Sequence, residues 1–291
     1  MSNIPGPKIA DLYRKTNEIR QNTLDMCIRA RTGHVTSSFS CAELLTALYQ
    51  GGIMRYDPQN PKWEDRDRFI LSKGQASPIL YNVLADLGFF PKDWLDGFAT
   101  GEGHFGVHLQ GDIPGVEYTM GSLGHGLGIG SGVALAAKMG LKDYHTFVLM
   151  GDAECYEGSV WEAAMFAAHH RLNNLTAIVD RNGYGVMGAT EEIVKLNPFD
   201  EKFKSFGWDV RKINGHSIEE ICSALEDVRT RKTEKPLAIV ADTVKGKGIE
   251  FIESVARWHG LAPLGEEGVK AKGQLGEYSE EVQRWATRKY L

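Results

Sequence analysis

Asp152 and Asn182 lie thirty positions apart, and each follows a short apolar run, HTFVLMGD over 145–152 and LTAIVDRNG over 175–183. An Asp carboxylate and an Asn carbonyl oxygen are hard ligands suited to Mg²⁺ or Ca²⁺. Mg²⁺ takes one or two protein carboxylates and completes its shell with phosphate and water oxygens. The pair therefore reads as a metal-bridged phosphate site. Gly-Asp and Asn-Gly are also ordinary turn pairs, so either end alone is as readily a turn as a ligand. The spacing favours the site. Both runs read as buried strands of a parallel sheet, and GSVWEAAMFAAHH between them reads as a helix. Strand, helix and strand make one βαβ crossover, with both residues just past the carboxyl ends of their strands, where open α/β sheets bind ligands.

The elements around this unit follow from periodicity and punctuation. Helices are expected over 9–31 and over 40–49, the second capped by Ser40. A strand over 68–72 leads through a loop to a helix from about Ser77, followed by a Gly-broken region over 88–120. GSLGHGLGIGSGVALAAKMG enters a long helix. A short helix near 199–206, a strand in WDVRKING, a helix over 217–230 capped by Ser217 and a strand in PLAIVADTV come next. The tail from Lys245 is polar, with a last helix over 279–289. Alternating strands and helices predict an α/β, doubly wound parallel sheet with helices on both faces, in one domain over 1–291.

Composition excludes several classes. A net charge of −5 gives no nucleic-acid footprint. No run of 18 apolar residues could span a membrane, and MSNIPGPKIADLYRK has no apolar signal core. Cys27, Cys41, Cys155 and Cys222 show neither CxxC spacing nor a disulfide-dense pattern, which points to a reducing cytoplasm. Cys155 beside Asp152 reads as filler in a tight loop. The glycine run near 121–132 is not a dinucleotide site, because no apolar strand immediately precedes it.

The stretch GDAECYEGSVWEAAMFAAHHRLNNLTAIVDRNG resembles the thiamine-diphosphate signature in its transketolase form, with Ala153 where that form has Gly. RTGHVTSSFSCAELLTALY, DRFILSKGQASPILY, TMGSLGHGLGIGSGVALA, NGHS, KGKG and WHG match further transketolase motifs in order. The resemblance covers nearly the whole chain, which nevertheless corresponds to the first half of that family's longer chain. It implies the diphosphate-binding (PP-type) domain of the thiamine-diphosphate-binding fold. It also implies a partner, the C-terminal transketolase subunit with the pyrimidine-binding half, in an α2β2 heterotetramer acting on sugars or sugar phosphates.

Residue by residue, the resemblance makes Asp152 and Asn182 metal ligands, with the backbone carbonyl of Tyr184 as the third. His34 of the GH pair and His259 of WHG face the cofactor and substrate. His108 matches a histidine contacting the donor's hydroxyls by its offset from Met120, with His104 as rival. Gly121, Ser122 and Leu123 lie on the aminopyrimidine side, and Gly151, Ala153 and Glu154 belong to the cofactor-binding turn. Glu157 matches a glutamate linking paired active sites across an interface. Lys73 and Lys245 match basic residues near the substrate channel or its covering loop. Gln75 stands where the family has a histidine, and His125 where it has a glutamine. Glutamine can donate a hydrogen bond but cannot titrate. The other histidines, His145, His169, His170 and His216, read as surface or satisfied core groups.

The chemistry implied is transfer of a two-carbon ketol unit from a ketose donor to an aldose acceptor, with thiamine diphosphate and Mg²⁺ or Ca²⁺ as cofactors. Alternatives are a 2-oxo acid decarboxylating component, a deoxyxylulose-phosphate-synthase-like enzyme, or a non-catalytic homologue that binds a partner.

Overall fold

A computed structural model describes residues 6–290. Residues 1–5, the start of the segment read above for a targeting signal, and Leu291 lie outside the described residues. Five strands, β1 (Arg68–Leu71), β2 (Thr146–Gly151), β3 (Leu175–Arg181), β4 (Asp209–Asn214) and β5 (Leu237–Asp242), form one parallel sheet in the order β1-β2-β3-β5-β4. The burial patterns explain that order. Thr146 to Met150 of β2, Leu175 to Asp180 of β3 and Leu237 to Ala241 of β5 are all buried, as central strands covered on both faces must be. β4, DVRKIN, carries charges and is only partly covered, which suits an edge.

Ten helices surround the sheet among the described residues: α1 (Gly6–Ala30), α2 (Val35–Ser40), α3 (Ala42–Gln50), α4 (Ser77–Asp86), α5 (Gly126–Met139), α6 (Gly158–His169), α7 (Thr190–Ile193), α8 (Phe199–Ser205), α9 (Ile218–Leu225) and α10 (Glu266–Tyr290). The β2-α6-β3 crossover and the β4-α9-β5 unit stand where the sequence places them, and this is the doubly wound α/β architecture. α5 packs along β2 closely enough that a Cβ on Gly130 would collide with Val148.

Three expectations need correction. Ser40 does not cap the following helix: it ends α2, and its hydroxyl donates to Asp180 Oδ2 at 2.6 Å, while Cys41 takes the cap position. The charge-assisted bond to a buried carboxylate holds the Ser40 side chain against Asp180, and its oxygen makes no capping bond to the first N–H groups of α3. α9 stops at Leu225, and Asp227 just beyond it binds Arg211 bidentately at 2.7 and 2.9 Å. The last helix is 25 residues long, not confined to 279–289. Gly268, Gly273 and Gly276 each disfavour helix by about 1 kcal/mol relative to Ala. Packing on α1 outweighs them. Ala271 and Leu275 are buried, Tyr13 meets Trp285 edge-on at 5.1 Å, and Lys272 pairs with Asp25 at 2.6 Å.

Candidate active site

The carboxyl ends of β1, β2, β3 and β5 converge on a cavity of about 90 Å³ whose lining includes Lys73, Gln75, Asp152, Asn182, Lys245 and His259. Larger clefts lie elsewhere, one of 660 Å³ between residues 59–66 and 111–117, but the convergent chemistry is here.

Asp152 follows β2 directly. Its Oδ2 accepts from Gly183 N at 2.8 Å and its Oδ1 from Ala153 N at 2.9 Å. Asn182 Oδ1 accepts from Tyr184 N at 3.1 Å, and the Tyr184 carbonyl accepts from Lys245 Nζ at 3.0 Å. Burial, then the nearby Asp180 charge, pushes the Asp152 carboxyl up to about 6. A carboxylate, an amide oxygen and a backbone carbonyl suit Mg²⁺ whose remaining positions go to phosphate and water. The donor set thus fits a metal–diphosphate pair. No cluster of three or more His, Cys, Asp or Glu side chains capable of holding a metal occurs among the described residues.

Two lysines supply positive charge. Lys73 is buried against Asp180 and donates to the Ser37 carbonyl at 2.9 Å. Burial works against its charge, but the Asp180 carboxylate outweighs burial and holds the ammonium above its usual value. Asp180 also accepts from Ser40 and Thr243, so its lone pairs are occupied. Lys245 is held down to about 8 by burial and by Lys73. Its Nζ donates to the carbonyls of Tyr184 and Gly185 and, at 3.0 Å, to His259 Nδ1. That contact leaves Nε2–H as the free donor of His259.

Three imidazoles meet beside the cavity. The rings of His108 and His259 each stand 5.4 Å from that of His34. Glycines permit the approach. Gly33, at φ +119°, would put a Cβ 2.6 Å from Cys27 Sγ, and Gly260, at φ +76°, backs onto His34 Nε2. Burial and neighbouring positive charge hold His34 and His259 down to about 4. His34 Nδ1 is buried without a hydrogen-bond partner among the described residues. The rival His104 instead stacks on Trp94 at 3.8 Å.

The other candidates scatter around this centre. Leu123, Gly151, Ala153 and Glu154 line the cavity, and Gly121 lies under the His108 ring. Ser122 is exposed, as is Glu157 at the start of α6, and His125 is exposed before α5. Sequence reasoning missed Ser37, Gly185 and Val186, which line the cavity, and Asp180, which bonds to Lys73 and Asn182 of that lining. The sequence marks Asp180 only as a charge within an apolar strand, which does not say what the carboxylate meets. His145 is a satisfied core group, with Nε2 2.8 Å from Thr176 Oγ1, and all four cysteines are buried and free.

Residues 13–283 match the family described as transketolase, thiamine diphosphate binding domain. The chain is 38% identical over 281 residues to one subunit of the apulose-4-phosphate transketolase of Phocaeicola vulgatus, spanning 95% of this chain and 98% of that protein. It is 41% identical over 262 residues to the 6-deoxy-6-sulfo-D-fructose transketolase subunit SqwG of Clostridium sp. strain MSTE9, spanning 90% of this chain and 94% of that one. Among solved structures, the transketolase of Campylobacter jejuni superposes with a TM-score of 0.84 at 29% identity. That match covers 96% of this chain and 48% of the longer one. With that family matched across residues 13–283 and subunit-sized relatives aligned over nearly their whole length, the chain belongs to the transketolase family.

Proposed function

We propose that this chain is the diphosphate-binding subunit of a two-chain transketolase, transferring a two-carbon ketol unit from a ketose or ketose phosphate to an aldose acceptor. The carrying observation is that one cavity holds a hard-oxygen donor set, Asp152, Asn182 and Tyr184, together with His259, whose ring meets that of His34, which in turn meets that of His108. Asp152, Asn182 and the Tyr184 carbonyl would hold Mg²⁺, and the cation would balance the charge of the diphosphate, since Lys73 is already matched by Asp180. Thiamine diphosphate, when bound, supplies the carbanion stabilisation that cleavage of a ketose requires.

The residues of the chain do the rest. His34 and His259, held near 4, are neutral at pH 7. They therefore act as hydrogen-bond donors to developing oxyanions, or pass a proton, rather than as standing cations. His259 does so through Nε2–H, since Nδ1 is engaged by Lys245. His108, exposed beside the His34 ring, would meet the donor's hydroxyls. Gln75 offers an amide to the same space and moves no proton.

The partner chain would carry the pyrimidine-binding half in an α2β2 assembly. Three relatives of about this chain's own length are named as transketolase subunits, which supports a partner. So does α5, which has no charged residue between Gly126 and Ala137 yet exposes Gly128, Gly132 and Ala136, while α6, packed against it, exposes Met165 and Phe166. Glu157 at the exposed start of α6 is in reach of such a neighbour. The test is ketol transfer by this chain co-expressed with a C-terminal transketolase subunit, with thiamine diphosphate and Mg²⁺. The donors would include apulose 4-phosphate and 6-deoxy-6-sulfofructose, after the named relatives. Transfer only when both chains are present is the expected result. A complex that binds cofactor and transfers from no ketose would defeat the proposal.

A further inference from the structure

The turn from Gly121 to His125 reaches the cavity through Leu123, and its anchors converge on one carboxylate. Glu154 is 2% exposed. Its Oε1 accepts from Gly124 N at 2.9 Å and from the Ser72 hydroxyl, and its Oε2 accepts from Gly151 N at 3.1 Å. The Ser72 oxygen in turn accepts from Gly126 N at 3.1 Å. The ends of β1 and β2 and the 121–126 segment are therefore tied at a single side chain. The backbone comes too close for side chains there. A Cβ on Gly124 would stand 2.5 Å from Glu157 Cβ, and one on Gly126 would run into Ser72.

We propose that Glu154 is a positioning residue that sets the Gly121–His125 turn against the cavity wall and does not itself contact the cofactor. The inference rests on the cavity being the thiamine diphosphate site and adds a role to that reading. A carboxylate has about four acceptor positions, and three here already face protein donors. No cation lies within ion-pair distance of it among the described residues. A carboxylate turned toward a diphosphate would repel it. The same group turned toward Gly124, Gly151 and Ser72 fixes the wall instead.

Amide hydrogen exchange on the full chain, without added cofactor, compares wild type with Glu154→Gln. Glutamine keeps the shape but points an amide N–H₂ at an N–H donor. Amides of residues 121–126 are expected to exchange about ten- to a hundredfold faster, with β3 and β5 unchanged. Thiamine diphosphate with Mg²⁺ should bind about ten- to a hundredfold more weakly, the range for loss of a supporting partner. Inorganic pyrophosphate with Mg²⁺, which reads the Asp152 side alone, should bind as before. Unchanged exchange at 121–126, or equal loosening across the strands, overturns the proposal, as does unchanged thiamine diphosphate affinity. If Glu154→Gln does not fold, Ser72→Ala removes one donor and should free Gly126 N alone; protection retained there is equally fatal. Failure of wild type to bind thiamine diphosphate sinks the reading of the cavity, while the exchange comparison still decides what Glu154 holds.

Discussion

Replacing Glu43 by Gln should remove about 3–5 kcal/mol of stability, the range for leaving a buried charge without its partner. Glu43 and Arg20 are 2% and 0% exposed at the side chain. Arg20 grips both carboxylate oxygens, at 2.6 and 2.7 Å, and donates to the Phe39 carbonyl at 2.9 Å. A second figure comes from titration. Burial opposes the Glu43 charge, but Arg20 and His216 outweigh it and lower the carboxyl from 4.5 to about 2. At 1.36 kcal/mol per unit that depression is worth about 3 kcal/mol. The folded value lies below the unfolded one, so the stabilisation is complete above about pH 4.5 and is lost as pH falls toward 2. With unfolding entropy of about 2.1 cal/mol/K per residue, the loss lowers Tm by about 5–8 °C. Urea unfolding at pH 7 measures it, and the gap between wild type and variant should close across that acid window. The Arg20→Met/Glu43→Leu pair, which leaves no buried charge, should recover much of the loss. A loss under about 1 kcal/mol, or a gap that does not change between pH 5 and 2.5, would refute the reasoning.

Asp152→Ala should abolish Mg²⁺-dependent thiamine diphosphate binding, read by calorimetry; retention of wild-type affinity defeats the metal assignment. Chelation of Mg²⁺ with EDTA should release cofactor from wild type, and continued binding would count against a bridging cation. Lys245→Met removes a positive neighbour of His259 and should move its titration up from about 4 toward ordinary histidine values, followed by NMR. A resonance that does not shift would mean that burial and Lys73 set it, without Lys245. Gln75→His should raise transfer from ordinary pentose phosphates, and an unchanged donor profile would remove Gln75 as a specificity determinant.

The βαβ unit was legible because β2 and β3 are apolar through their length and the helix between them has a clean boundary at each end. The long α10 was not, since three glycines argue locally for a break and only contact with α1 overrides them. Asp152 and Asn182 announce themselves through spacing. The imidazole cluster does not, because His34, His108 and His259 come from three segments far apart in sequence, each beside loop residues. Resemblance nominated them, and geometry brought the three rings together and left His104 on Trp94. Asp180 escaped notice for a related reason. A buried carboxylate in a strand has meaning only once the lysine and hydroxyls that surround it are known.

Charge explains why the cavity needs a cation of its own. Three carboxylates lie buried at the strand ends. Asp180 is matched by Lys73, and Glu154 is satisfied by neutral donors. Asp152 faces the cavity with neutral donors alone, two backbone N–H groups and the Thr190 hydroxyl, and no lysine or arginine within ion-pair distance among the described residues. Lys245 is committed to two carbonyls and His259. A diphosphate entering alone would meet Asp152 as a like charge in a site where water cannot screen it. A divalent ion shared between them turns that repulsion into two attractions. Metal and diphosphate should therefore bind with strong mutual coupling, each weak without the other, and the coupling should vanish in a chain lacking the Asp152 carboxylate.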